Sequence, residues 1–130
     1  MTGAELKTLR EACGLSVAWI AAHAAVQERT ARYWEDSNTA VPQDVAKIIR
    51  HIDGLLTQSS NQALAQASQL TDTHGAPQLV VLSRYRTDAD LWAAHPDMQG
   101  MSVTTHAAIL QRTRLGLVKM GLAVSIQYLN

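Results

Sequence analysis

Six polar side chains within one short stretch have the residue types and the spacing that nucleic-acid recognition uses. They are Gln27, Glu28, Arg29, Thr30, Arg32 and Tyr33. At the helical period, the charged and aromatic members fall on one face, opposite Ala31 and Trp34. Arginine is the commonest reader of guanine, and glutamate accepts a hydrogen bond from cytosine. We predict that Arg29 and Arg32 contact base edges or phosphates and that the other four residues add contacts; the alternative is an ordinary solvated helix face.

Other residues that carry chemistry are scattered along the chain without the spacing of a known site. The five histidines are His23, His51, His74, His95 and His106. No metalloprotease motif, phosphate-binding glycine loop or nucleophile elbow occurs. Asp88 and Asp90 near His95 are better explained by a helix cap and a solvated loop. We therefore predict no enzymatic activity, no metal and no cofactor, and the single cysteine, Cys13, excludes an intramolecular disulfide.

The elements that must position the six residues are two short helices joined by a tight turn. Ser16 is a good N-cap for the first helix, and Ile20, Ala21 and Ala24 then share one face. The turn falls at Ala24-Ala25-Val26, immediately before the polar stretch. A short helix that displays polar side chains beyond such a turn is how many proteins place side chains in the major groove.

This stretch, from Ser16 to Pro42, resembles the Xre/Cro-type helix-turn-helix of phage and bacterial repressors. The matching positions are Ile20-Ala21, Val26, Thr30, Trp34-Glu35 and Pro42. The chain departs from the family pattern at Val17, where a phosphate-contacting Gln is common, at Ala25, which replaces the turn glycine, and at Ala31, which replaces a larger Ile. A left-handed backbone at Ala25 is expected to cost about 1 kcal/mol. Trp19 is expected to fill the space beside Ala31, whereas Trp34 and Glu35 are expected to be structural.

The remaining helices of the first half are marked by caps and apolar stripes. Thr2 and Glu5 have the form of a capping box, before a first helix that ends at Gly14. Pro42 suits the first turn of a fourth helix. Its apolar stripe is Val45, Ile48, Ile49, Ile52 and Leu56. Two alternatives stay open, because this helix either continues to about Leu70 or breaks near Ser59.

The second half predicts a strand, two helices and a strand. Leu79-Val80-Val81-Leu82 indicates a largely buried strand, and Asp88 is expected to cap a short helix that ends at His95-Pro96. A longer helix starts at Ser102 or Thr104 and stops at Gly121. The chain then alternates, with Val124, Ile126 and Tyr128 expected on one buried face. Since two strands need further packing to be stable, self-association is the simplest completion.

The predicted fold class is therefore α+β, mainly α. The expected regions are a helix-turn-helix DNA-binding domain over 1–58, a helix extension and linker over 59–77, and a small dimerisation domain over 78–130. This layout is similar to a group of short bacterial proteins of unknown function that includes the anti-CRISPR-associated autorepressors. The segments that carry this likeness are Ala31-Arg32-Tyr33-Trp34-Glu35 with Val41-Pro42, and Asp90-Leu91-Trp92 to His95-Pro96-Asp97. The resemblance implies a homodimeric repressor that binds an inverted repeat in double-stranded DNA.

Composition limits this function and leaves two alternatives. The net charge is zero, so binding to DNA needs a local positive face, which Arg29 and Arg32 would form with Lys7 or Arg10. No signal peptide is evident, and no apolar run approaches the roughly 20 residues of a membrane span, which predicts a cytoplasmic protein. One alternative is an antitoxin-like module that binds a toxin or another partner protein. The other is a protein that binds an RNA hairpin, although no RNA-binding motif is present.

Overall fold

The computed structural model describes residues 1–129, in which six α-helices accompany a two-stranded parallel sheet. In chain order the elements are α1 (Gly3–Ala12), α2 (Val17–Ala24), α3 (Glu28–Asp36), α4 (Gln43–His74), β1 (Val80–Arg84), α5 (Asp88–Ala94), a 3-10 turn (Pro96–Met98), α6 (Val103–Lys119) and β2 (Val124–Tyr128). This content confirms the predicted class, α+β and mainly α. The chain forms two compact units, Met1–Leu55 and the residues from Leu56 onward.

The first unit is built from short capped helices around a small apolar core. Thr2 and Glu5 form the predicted capping box, in which the Thr2 hydroxyl accepts from the Glu5 N–H at 3.1 Å. Ser16 caps α2 in the same way by accepting from the Trp19 N–H. These bonds satisfy backbone donors that the first turn of a helix leaves without partners. The most deeply buried apolar side chains of this unit are Leu6, Cys13, Ile20, Ala31, Val45 and Ile49.

Helix α4 runs without interruption from Gln43 to His74, which settles the alternative that the sequence left open. Val45, Ile49 and Leu56 lie on its buried side, as the stripe predicts. The next inward position is Ser60, which is also buried, so the helical period continues although the residue is polar. The apolar pattern alone therefore suggested a break near Ser59, because the inward position that follows Leu56 holds a small polar residue.

The second unit has the predicted order of strand, two helices and strand. β1 and β2 pair in parallel, with Val80 opposite Val124 and Arg84 opposite Tyr128. Leu91 of α5 and Leu117 of α6 are the most deeply buried of its large side chains. Gly116 of α6 lies so close to the Leu64 side chain that an added Cβ would collide with it. Glycine at this position therefore allows the close approach of α6 to the later part of α4.

Both strands are more exposed than the sequence predicts. The segment 79–82 was expected to be largely buried, but Leu79 and Val81 are 48% and 49% exposed. Tyr128 was expected on a buried face and is 50% exposed, while Val124, Ser125 and Ile126 are all half-buried, so the expected alternation is absent. The reason is that a sheet of two strands gives each strand a single neighbouring strand, so these side chains lack the flanking side chains that a wider sheet would provide.

The start of α5 also differs in detail from the prediction. Its N-cap is Thr87, whose hydroxyl accepts from the Asp90 N–H at 3.1 Å, and not Asp88. Asp88 instead accepts a hydrogen bond at 2.9 Å from the Val103 N–H, at the beginning of α6. A carboxylate at this place thus satisfies a backbone donor of the neighbouring helix.

Candidate nucleic-acid interface

The turn between α2 and α3 closes the end of α2 with a left-handed residue. Ala25 has φ 56° and ψ 44°, and it is the one non-glycine residue with positive φ in the described part of the chain. Its N–H donates to the Ala22 carbonyl, and the Val26 N–H donates to the Ala21 carbonyl at 3.0 Å. This pair of bonds is a Schellman motif, which satisfies carbonyls at a helix end. Ala25 thus adopts the left-handed backbone that was expected to be costly for a residue other than glycine.

Helix α3 has one buried side and one exposed side. Ala31 is fully buried, Glu35 is 8% exposed and Trp34 is half-buried. The six residues predicted to contact nucleic acid are all exposed and adjoin one another in space along the same short element. They are Gln27, Glu28, Arg29, Thr30, Arg32 and Tyr33. Gln27 is the N-cap residue of α3, and its exposed side chain makes no capping hydrogen bond to the start of the helix.

The two arginines of the exposed side differ in their charge environment. Arg32 forms an ion pair with Glu28 one turn earlier, with 3.2 Å between Nη2 and Oε2, and both side chains are more than half exposed. An exposed pair of this kind contributes only about 0.3–0.5 kcal/mol, so a phosphate or base can readily displace it. Arg29 has no carboxylate within ion-pair distance among residues 1–129. Arg29 is therefore the cation of this face that is most available to an anionic ligand.

The sequence offered Lys7 or Arg10 as a further cation beside Arg29 and Arg32. The structure corrects this choice, because Arg10 is not available to the predicted positive face. Its Nε and Nη2 donate to the Glu35 carboxylate at 2.7 and 2.9 Å, and its Nη1 donates to the Leu15 carbonyl at 3.0 Å. The hydrogen bond with Glu35 is the largest effect that raises the pKa of Arg10. Arg10 therefore connects α1 with α3 and with the start of the α2 region, and Lys7 remains the exposed cation of α1.

Two residues that hold α3 in place were missed at the sequence level. Gly3 packs so closely against the carbonyl end of α3 that an added Cβ would collide with the carbonyl oxygens of Trp34 and Glu35. A glycine in the first turn of a helix is a poor helix former, and this is the signal that could have indicated a close backbone approach. Arg10 is the second, and its pairing with Glu35 joins residues too distant in sequence for spacing to reveal.

Trp19, expected to fill space beside Ala31, is half-buried and contacts His23 of its own helix. Its ring stacks on the His23 ring with 3.7 Å between centroids, and His23 Nδ1 lies 2.9 Å from the Trp19 carbonyl. His23 is exposed, so this pair gives α2 an aromatic surface.

The second unit contains a cluster of aromatic titratable groups, formed by Tyr85, His95 and His106. The Tyr85 hydroxyl lies 3.1 Å from His95 Nε2, and the His95 and His106 ring centroids are 6.1 Å apart. His106 is 6% exposed, and its Nδ1 is buried without a hydrogen-bond partner among residues 1–129. Burial, followed by the nearby His95, lowers the pKa of His106. Within residues 1–129 no group of three or more His, Cys, Asp or Glu side chains has the arrangement of a metal site.

Comparison of the sequence with protein-family models and with curated proteins finds no match. Among the helices of the described residues, none combines the length with the apolar composition needed to cross a bilayer.

Proposed function

We propose that this chain is a sequence-specific DNA-binding transcriptional regulator that reads DNA with α3 of a helix-turn-helix. The observation that carries the proposal is the exposed side of α3, where Arg29 lies in the first turn of the helix and forms no ion pair with any carboxylate among residues 1–129. Short helices presented in this way by a preceding helix and turn enter the major groove. The resemblance to Xre/Cro-type repressors agrees with this reading and is part of the proposal.

Each side chain of α3 has a chemical role in the proposed complex. Arg29 would donate to guanine O6 and N7 or to a phosphate, and Arg32 would exchange Glu28 for a phosphate or base. Glu28, once released, would accept from cytosine N4. Gln27 at the N-terminus of α3 lies where recognition helices contact base edges, and Tyr33 is 64% exposed and can reach the backbone.

One copy of α3 offers too few contacts to select one site in a genome. A good base contact gives about 1–3 kcal/mol of discrimination, whereas specific binding is about 4–10 kcal/mol tighter than non-specific binding. The chain is also neutral overall, so non-specific attraction to phosphates adds little. We therefore include in the proposal that the protein acts as a homodimer, because two-fold symmetry places two α3 helices on an inverted repeat.

The proposal is tested by selecting bound sequences from a random duplex DNA pool at near-physiological salt. Enrichment of an inverted repeat with half-sites about one helical turn apart is the expected result. Arg29→Ala should then weaken binding to the enriched site by about 1–3 kcal/mol. Lys119→Ala, which removes a positive charge from the exposed last turn of α6, is the matched control and should bind as wild type does.

Two outcomes would contradict the proposal. If Arg29→Ala bound the enriched site as tightly as wild type, the assignment of α3 as the reading helix would be wrong. If folded wild-type protein enriched no sequence, DNA reading itself would be wrong. The exposed apolar side chains of the second unit, among them Leu79 and Val81, would then favour the antitoxin-like alternative. Co-purification would be the next experiment, because it shows whether the protein binds a partner protein or RNA.

A further inference from the structure

The outer edge of β1 carries backbone groups that have no partner strand. The Val80 N–H donates to the Ala123 carbonyl at 2.9 Å, and the Arg84 carbonyl accepts from the Leu129 N–H at 3.0 Å. In a parallel ladder, alternate residues direct their backbone groups to the same neighbour, so Val80, Leu82 and Arg84 face β2. Val81 and Ser83 therefore direct their N–H and C=O groups away from β2, where the sheet formed by the described residues has no third strand.

The side chains along this edge are apolar and uncharged over most of its length. Leu79 and Val81 are about half exposed, and no charged residue or proline lies between Gln78 and Ser83. Exposed edge strands are usually protected by charges, prolines or bulges, because they otherwise pair with other strands. The edge of β2 is the alternative, but its exposed side chains, Gln127 and Tyr128, both carry polar groups. The exposed side chains at β1 include the wholly apolar Leu79 and Val81, so β1 offers the more apolar edge.

We propose that β1 pairs in antiparallel fashion with β1 of a second copy of this chain, about a two-fold axis at Leu82. This pairing sets Val81 opposite Ser83 of the other copy, so the outward N–H and C=O groups of both strands satisfy one another. Arg84, the one charged residue of β1, then lies opposite Val80 of the other copy and not opposite a second arginine. The strand is therefore complementary to itself in both hydrogen bonding and charge.

The pairing also completes the sheet. Two sheets of two strands become one sheet of four, and isolated two-stranded units are only marginally stable. Leu79 and Val81 of both copies then share one face of the joined sheet, where their exposed surface packs together. The inference rests on the proposed function in that it names the surface by which two copies of α3 are brought to one DNA site.

Val81→Pro tests the inference, because it removes one N–H that points away from β2. The hydrogen bonds between β1 and β2 involve Val80, Leu82 and Arg84 and are therefore left in place. Sedimentation over a range of concentrations should show a dimer for the wild type and an increase in its dissociation constant of at least about tenfold for Val81→Pro. Val81→Ala keeps the N–H and loses apolar contact, so its dimer dissociation constant should lie between those of the wild type and Val81→Pro. Ile126→Pro, which removes an outward N–H from β2, is the matched control and should dimerise as wild type does.

Amide hydrogen exchange of the wild-type protein provides a test that needs no variant. The Val81 and Ser83 amides should be protected at concentrations where the dimer forms and should lose protection on dilution, because only the second copy bonds them. A wild-type protein that stays monomeric, a Val81→Pro dimer as tight as wild type, or fast exchange at both amides in the dimer would each overturn the pairing.

The outcomes separate this inference from the proposed function. An enriched inverted repeat together with a Val81→Pro protein that still dimerises would overturn the β1 pairing alone. A dimer that Val81→Pro dissociates, without any enriched DNA sequence, would support the pairing and remove the DNA-reading proposal.

Discussion

Ala25 holds a left-handed backbone conformation that glycine adopts at the ends of α1 and α6. The Leu15 N–H bonds the Arg10 carbonyl around Gly14, and the Leu122 N–H bonds the Leu117 carbonyl around Gly121, as in the Schellman motif at Ala25. Both glycines have positive φ, at 66° and 86°. The Cβ of an L-residue makes this conformation unfavourable, so the turn before α3 retains strain that the other two turns lack.

Ala25→Gly should therefore stabilise the protein by about 1 kcal/mol, since the strain is relieved in the folded state. Thermal and urea unfolding monitored by circular dichroism would measure the change. Ala22→Gly, at an exposed position inside α2, is the matched control and should destabilise by about 1 kcal/mol. A decrease in stability for both variants would show that the turn is not strained in the way its φ indicates.

His106 makes stability depend on pH. Its pKa is lowered in the folded state from an ordinary value of 6.5, first by burial and then by His95. The unfolded chain therefore binds more protons as pH falls through 6.5. The free energy of unfolding should accordingly be largest above that pH and should decline below it, until the folded state is protonated too.

The measurement is urea unfolding at about pH 7.5 and about pH 5.5, together with an NMR titration of the His106 ring in the folded protein. His106→Gln should reduce the difference between the two pH values. His74→Gln, at an exposed position, is the control and should retain the wild-type difference. A His106 ring that titrates at or above the ordinary pKa would contradict the expectation, and this readout does not depend on whether His106→Gln folds.

At the scale of elements, α3 is held by polar contacts as well as by its apolar side. The Arg10 and Glu35 side chains are 13% and 4% exposed, so their two hydrogen bonds form largely out of water. Removal of one partner from a buried ion pair leaves the other charge uncompensated, whereas replacement of both is often neutral. This pair consequently fixes α3 against α1 in one arrangement.

Arg10→Met should destabilise the protein by about 3–5 kcal/mol, because Glu35 is then buried without a cation. The double variant Arg10→Met/Glu35→Leu is the matched control, and it should recover most or all of that stability. Urea unfolding of the wild type, both single variants and the double variant completes a double-mutant cycle. Equal stability of Arg10→Met and wild type would mean that the pair does not hold α3.

At the scale of the whole molecule, the proposed reading of DNA requires two copies of the chain. Each copy offers one α3 and one self-complementary strand edge, and the chain has no net charge to bind DNA without specific contacts. The proposed dimer would therefore gain both its affinity and its specificity from symmetry. The two proposals have separate tests, since one concerns the side chains of α3 and the other the backbone of β1.

Features that depend on residues close to one another in the chain could be predicted from the sequence. The capping box at Thr2, the turn at Ala24–Val26 and the exposed polar side of α3 follow from local backbone chemistry and from the helical period. The order of strand, two helices and strand in the second half was likewise predicted. Local hydrogen bonds and alternation of apolar residues are sufficient for such features.

Features that depend on residues far apart in the chain became visible only once the helices and strands were packed together. The tertiary structure removed Arg10 from the proposed interface by pairing it with Glu35, and it required glycine at position 3 through contact with the end of α3. It also left Val81 exposed, although a continuous apolar run favoured burial. The physical reason is that burial and charge pairing depend on which elements pack together, and a sequence pattern indicates that a surface is apolar without indicating what covers it.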